Sequence, residues 1–220
     1  MTFGLIIFDC DGVLVDSESL ANRVMSQVFA EFGFDVSPED CLRRFVGMSM
    51  ASVRSAVETA SGRRLPDEFE PRARALADEV FDRDLQPIRG VSEVLSALPH
   101  ARCVASSGSP RRIRRSLDKT GLDAYFADHA LFSAAMVKRG KPAPDLFLHV
   151  AETMEVTPQQ CLVIEDSLLG ATAGVAAGMT VFGFAGASHI TDGHAERLEA
   201  LGVAAVFDDM ADLPGMLAAR

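Results

Sequence analysis

Apolar residues open the chain in a nearly unbroken run, Thr2 to Phe8, that stops at Asp9-Cys10-Asp11-Gly12. A short β-branched and aromatic run without polar alternation marks a strand buried on both faces, as in the middle of a parallel sheet. From Asp16 to about Asp84 the period changes. Apolar positions recur at intervals of three and four (Val24, Val28, Phe29, Phe32; then Val53, Ala56, Val57, Ala60), which predicts amphipathic helices and no strand. From Pro87 onward, apolar runs at Arg102–Ser106, Ala130–Phe132, Cys161–Ile164 and Thr180–Phe184 alternate with helices after Pro110, from Pro144 and from Leu168, ahead of a final weak pair. Such alternation predicts an α/β fold with a parallel sheet and a ligand site outside the carboxyl ends of the strands. The core is read as residues 1–15 and 87–220, interrupted by an all-α insert over 16–86. An insert at that point is placed to act as a lid on whatever the strand ends bind.

Composition narrows the class. With 220 residues, 48% apolar and 24% charged, the chain has the ordinary globular balance and is long enough for one domain carrying an insert. The net charge of −10 argues against binding nucleic acid or an anionic membrane, since both depend on Lys and Arg neutralising phosphates. The basic cluster Arg111-Arg112-Ile113-Arg114-Arg115 is read as a solvated helix face. Cys10, Cys41, Cys103 and Cys161 form no C-x-x-C pair and are expected to be reduced thiols in a cytoplasmic protein. The apolar start has no basic segment before it and is broken at once by Asp9 and Asp11, so neither signal peptide nor membrane anchor is expected. Gly170, Gly174 and Gly178 recur every four residues. Glu165 and Asp166 lie just upstream and the run is too short to span a bilayer, so close packing of a helix on the sheet is expected. The five histidines (His100, His129, His149, His189, His194) show no ligand spacing and are taken as surface residues. No G-x-x-x-x-G-K-[ST] loop is present, which removes support for P-loop chemistry.

Candidate chemistry gathers at the ends of the apolar runs. Asp9 and Asp11 leave the first strand together, and two adjacent carboxylates are costly to desolvate unless a cation sits between them. A hard divalent metal fits that need; a plain Asp-Gly turn is the alternative. The next run ends in Ser106-Ser107-Gly108-Ser109, a small polar turn suited to phosphate oxygens at a helix start, or simply to capping that helix. Lys141 stands in the stiff loop Gly140-Lys-Pro-Ala-Pro-Asp145, where its ammonium can offset carboxylates and phosphate. Leu162-Val163-Ile164 ends in a second acidic pair, Glu165-Asp166, followed by Ser167.

Taken in order, Asp9-x-Asp11, Ser106, Lys141 and Glu165-Asp166 resemble the four motifs of the haloacid dehalogenase superfamily, in its phosphatase and β-phosphoglucomutase-like branch. The longer runs Phe8–Glu18 and Glu165–Gly178 extend that resemblance, which covers nearly the whole chain. It implies a Rossmann-like parallel sheet core with an inserted all-α cap domain. It also implies a Mg²⁺-dependent phosphatase acting on a small phosphorylated metabolite, a sugar or sugar-acid phosphate. On this resemblance Asp9 attacks phosphorus to form an aspartyl-phosphate, and Asp11 protonates the leaving oxygen and then activates water. The Asp9 carboxylate, the Asp11 carbonyl, Asp166 and Glu165, the last directly or through water, hold Mg²⁺. Ser106, Ser107 and Lys141 hold the phosphoryl oxygens, Lys141 also stabilising the charge on Asp9. Glu18 and the stretch Arg43–Met48 resemble cap elements that meet the substrate. Arg44 is therefore expected at a polar or anionic part of it, with a surface ion pair as the alternative.

Asp11 separates the chain from the dehalogenase and phosphonoacetaldehyde hydrolase branches, which lack a carboxylate there. The mutase branch shares all four motifs, but it usually carries a histidine on the first cap helix where this chain has Ala21. Phosphatase is thus favoured over a sugar phosphomutase. A catalytically silent binding module on the same fold is the reading from a different class. A monomer or weak homodimer is expected.

Overall fold

The opening apolar run forms β1, Leu5–Phe8, with all four residues buried. The computed structural model describes residues 3–45, 48 and 50–219. The strand begins at Leu5 because Gly4 ahead of it has no side chain to pack on a pleated surface; Thr2 lies outside the described residues. Helices α1 (Glu18–Glu31), α2 (Pro38–Phe45), α3 (Met50–Ser61) and α4 (Phe69–Asp84) follow. Beyond them come α5 (Val91–Ala97), β2 (Arg102–Ser106), α6 (Pro110–Thr120), β3 (Leu131–Ser133) and α7 (Asp145–Thr153). The chain ends with β4 (Cys161–Glu165), α8 (Leu168–Ala176), β5 (Thr180–Phe184), α9 (His194–Glu199), β6 (Ala205–Phe207) and α10 (Leu213–Ala218).

The chain divides into two compact units, Met1–Asp16 with Gln86–Arg220, and Ser17–Leu85. In the first, the strands stand in the order β3-β2-β1-β4-β5-β6, and every neighbouring pair is parallel. β1 is central because it is apolar on both faces. Leu5 and Ile7 join Cys103, Ala105, Cys161, Val163 and Val181 in a core covered by Leu146, Phe147 and Val150 of α7 and by Ala171 and Ala173 of α8. Ile6 and Phe8 point the other way and are equally buried, Phe8 meeting Phe126 edge-on at 6.3 Å between ring centroids. Each such side chain contributes about 1.5–3 kcal/mol by burial, which holds the functional strand ends on a rigid base.

The Ser17–Leu85 unit has a core of its own. Val24, Val28 and Phe29 of α1 pack with Phe45, Val53, Val57, Phe69 and Leu76, with the rings of Phe29 and Phe69 4.7 Å apart. Arg72 of α4 donates two hydrogen bonds, 2.7 and 2.9 Å, to Glu31 of α1. Among the described residues of this unit there is no strand. Ala60, the last residue of the periodic set, is exposed. No helix among the described residues is long and apolar enough to cross a membrane, and all four cysteines are buried free thiols.

Candidate active site

Strand register creates the site. Phe8 lies level with Val104 on one side and Ile164 on the other, so the next residues, Asp9, Ala105 and Glu165, emerge side by side from three adjacent strands. Lys141, in the loop before α7, ties these ends together. Its ammonium donates to Asp9 Oδ1 at 2.6 Å, the Ala105 carbonyl at 2.9 Å and Glu165 Oε1 at 2.6 Å, and its side chain is only 3% exposed. The Phe147 ring lies 5.1 Å from Nζ. Glu165 Oε2 accepts from the Ser167 amide and hydroxyl, each at 2.9 Å. With both oxygens engaged in this way, Glu165 anchors Lys141. Gly170 makes this possible, since a Cβ there would lie 1.6 Å from Glu165 Oε1.

Asp11 stands on the other side of the loop. Its Oδ1 accepts from Arg112 Nη2 at 2.9 Å, and the Ser106 hydroxyl approaches its Oδ2 at 3.5 Å. The Gly108 amide donates to Ser106 Oγ at 2.9 Å, which fixes that hydroxyl at the end of β2. Arg112 corrects the solvated-face reading of the basic cluster. It is one turn into α6, whose N-cap Ser109 accepts from the Arg112 amide, and that helix start turns its guanidinium inward to Asp11 while Arg114 pairs with Asp128. Cys10, between the two aspartates, is no nucleophile: burial, then Asp11 and Asp9, pushes its thiol well above the ordinary range.

Asp166 is held by two histidines, which corrects their assignment to the surface. His189 Nε2 meets Asp166 Oδ2 at 3.1 Å, with the two side chains 6% and 4% exposed, and His194 Nε2 lies 2.6 Å from the Asp166 carbonyl. A carbonyl oxygen only accepts, so His194 carries its proton on Nε2, and burial lowers its pKa below the ordinary histidine value. Their spacing of five residues hides the pair because His189 sits in the loop after β5 and His194 opens α9.

The site gathers acidic groups. Among these, Asp9 and Glu165 are bonded to Lys141 and Asp11 to Arg112. Burial, then Glu165, Asp166 and Asp11, push the Asp9 carboxyl well above the usual carboxylate range against the pull of Lys141. Burial also works against charge on Lys141, but Asp9 and Glu165 outweigh it and hold the ammonium charged above the ordinary lysine value. The available donors are oxygens, the set that suits a hard divalent ion. Among the described residues no three acidic, imidazole or thiol side chains form a ready metal cage. A set of two carboxylates and one backbone carbonyl does not require one.

Ser107 is exposed at the turn after β2. Glu18 and Arg44 belong to the helical unit: Glu18 opens α1, and the exposed Arg44 lies over the Phe45 ring at 5.1 Å. Val46 and Gly47, in the stretch expected to meet the substrate, lie outside the described residues. A depression of about 580 Å³ on α3, lined by Ala51, Ser52, Ser55, Ala56, Thr59 and Ala60, holds no ionisable group and offers no chemistry.

Residues 6–184 match the family described as haloacid dehalogenase-like hydrolase. A 6-phosphogluconate phosphatase of Escherichia coli (strain K12) is 37% identical over 185 residues, 84% of this chain and 83% of that protein. The crystal structure of a haloacid dehalogenase-like protein from Agrobacterium tumefaciens str. C58 superposes with a TM-score of 0.89 at 42% identity, over 99% of this chain and 98% of that one. A HAD family hydrolase from Deinococcus radiodurans R1, solved with bound phosphate and sodium, gives a TM-score of 0.84 at 30% identity, over 99% and 96% of the two chains. With the parallel sheet and the ordered strand-end motifs, these matches make the chain an enzyme of the haloacid dehalogenase-like hydrolase family.

Proposed function

We propose that the chain is a Mg²⁺-dependent phosphatase for a small phosphorylated sugar or sugar acid, with Asp9 as nucleophile and Asp11 as general acid and base. The carrying observation is the Asp9 carboxylate at the centre of the sheet, fixed by buried Lys141 at 2.6 Å with Asp11 two residues on. A carboxylate so held has one job that a solvated one does poorly: it meets an incoming phosphorus in a fixed direction.

In the first step an Asp9 oxygen bonds to phosphorus, the ester P–O bond breaks, and the departing oxygen takes the proton of Asp11. In the second, Asp11, now a carboxylate, removes a proton from water as the water oxygen bonds to phosphorus and the Asp9–phosphorus bond breaks, releasing phosphate. Ser106, the Ser107 amide and Lys141 hold the phosphoryl oxygens. The Asp9 carboxylate, the Asp11 carbonyl and Asp166 would hold Mg²⁺, which when bound would supply positive charge to the phosphoryl group and to the crowded carboxylates. Glu165 acts through Lys141. Glu18 and Arg44 are kept as substrate-binding residues on the family resemblance, and the Ser17–Leu85 unit as the cap.

The substrate class follows the relative named 6-phosphogluconate phosphatase, so 6-phosphogluconate is the first compound to assay in a panel of phosphorylated metabolites with Mg²⁺. Asp9→Asn removes the nucleophile while keeping its shape. Turnover is expected to vanish with the melting temperature preserved, and a variant that still hydrolyses the best substrate at the wild-type rate would show the nucleophile to be misassigned.

A further inference from the structure

Asp166 is clasped from one stretch of chain, the loop after β5 and the first residue of α9. His189 reaches its carboxylate at 3.1 Å, while His194 holds its backbone carbonyl at 2.6 Å. The segment is itself anchored: the Ser188 hydroxyl and amide donate to Asp16 Oδ1 at 2.8 and 3.3 Å, and the Ala185 amide to the Phe207 carbonyl at 2.7 Å. Gly12 completes the arrangement from the other side. An added Cβ would lie 2.1 Å from Asp166 Oδ2 and 3.1 Å from His189 Cε1, so the turn after Asp11 is shaped around this pair.

A carboxylate oxygen accepts, so His189 directs an N–H at Oδ2 and fixes the direction of the Asp166 carboxylate. Groups that hydrogen-bond a ligating side chain fix its orientation, and losing one typically weakens metal affinity 10–100-fold. We propose that His189 is a positioning residue for the metal: it holds the Asp166 carboxylate in a fixed orientation in which it could ligate Mg²⁺, with the Ser188–Asp16 contact keeping its loop in place. This rests on the phosphatase reading only in taking Asp166 as a metal ligand. The reverse role, a histidine that occupies the place of the cation's charge, predicts tighter Mg²⁺ binding when the ring is removed.

Calorimetric titration of Mg²⁺ into chelator-stripped protein tests it, using wild type, His189→Ala, His189→Asn, His189→Gln and Asp166→Asn. A Gln amide reaches about as far as Nε2, whereas an Asn amide reaches only the position of Nδ1. Mg²⁺ dissociation constants are expected to rise at least tenfold for Ala and Asn and to stay within about threefold of wild type for Gln. Melting without metal identifies any variant that fails to fold; should Ala fail, the Asn and Gln pair decides. Wild-type affinity in both Ala and Asn, or tighter binding in either, overturns the proposal. Wild-type affinity in Asp166→Asn instead overturns the metal assignment itself, so the two failures are separable.

Discussion

At the scale of single residues, the division of labour proposed for Asp9 and Asp11 makes a sharp kinetic prediction. A nitrophenolate leaves without a proton, but the second step of the proposed mechanism needs Asp11 as base whatever the ester. Asp11→Asn is therefore expected to release about one equivalent of nitrophenolate per enzyme from p-nitrophenyl phosphate and then stall, whereas alkyl phosphates give no burst. A steady release with no burst would place the base elsewhere. Arg112, which holds Asp11 Oδ1 at 2.9 Å, should matter less: Arg112→Met leaves both chemical groups in place and is expected to cost roughly tenfold in kcat, below the hundredfold or more that a positioned acid–base group itself supplies, and an unchanged kcat would reduce the ion pair to surface decoration. Lys141 stood out in a loop stiffened by prolines, and the placement of Asp9, Glu165 and Asp166 at strand ends was legible because Asp9 and the Glu165-Asp166 pair each follow an apolar run. Arg112 and His189 were not. A run of four arginines shows charge but not which one a helix start turns inward, and the partners of Arg112 and His189 lie 101 and 23 residues away along the chain.

At the scale of elements, the alternation of apolar runs and helical periods located four of the six strands, β2 to β5, to within a residue, while β1 starts three residues later than its apolar run and β6 lies in the unspecific final pair; a parallel sheet buried on both faces leaves little room for ambiguity. Strand order was beyond reach: it depends on pairings between segments about a hundred residues apart. The spaced glycines of α8 show the same limit, having one period and three causes. Gly174 brings the helix backbone to the sheet, its absent Cβ lying 2.7 Å from Val181; Gly178 has a positive φ of 73° just past the helix end. Gly170 instead leaves room for the Glu165 carboxylate, a polar reason that a packing motif does not announce. Gly170→Ala must displace the carboxylate that anchors Lys141, so a loss of several kcal/mol in urea unfolding, together with loss of activity, is expected. Gly215 of α10 has no atom within 4 Å of an added Cβ, and Gly215→Ala should stabilise by about 0.5 kcal/mol through helix propensity alone. Equal effects at the two sites would show that neighbouring atoms do not decide the outcome.

At the scale of the whole molecule, the charge balance predicts where metal acts. The chain carries −10 overall, and the carboxyl edge of the sheet concentrates four carboxylates against Lys141 and Arg112, with Asp9 already driven above its usual range by burial and acidic neighbours. Unfolding disperses these groups, so a divalent ion that needs them together binds the native chain and not the unfolded one. Linkage then makes the ion a stabiliser: at a hundred times its dissociation constant it adds about 2.7 kcal/mol, which for a chain of this size is roughly a 5–11 °C rise in melting temperature. The expected result is a rise on adding MgCl₂, reversed by chelator and not reproduced by NaCl at matched ionic strength, because screening acts on all surface charges and a chelating site acts on one ion. Because every proposed ligand lies in the α/β unit, the shift belongs to that unit's transition if the two units melt separately. Asp166→Asn is expected to raise the metal-free melting temperature slightly, by removing one of the crowded negative charges, while abolishing the response to Mg²⁺. A wild-type melt indifferent to Mg²⁺ at millimolar concentration would mean that the acidic edge is balanced by its own protons, and the metal-dependent mechanism would have to be abandoned.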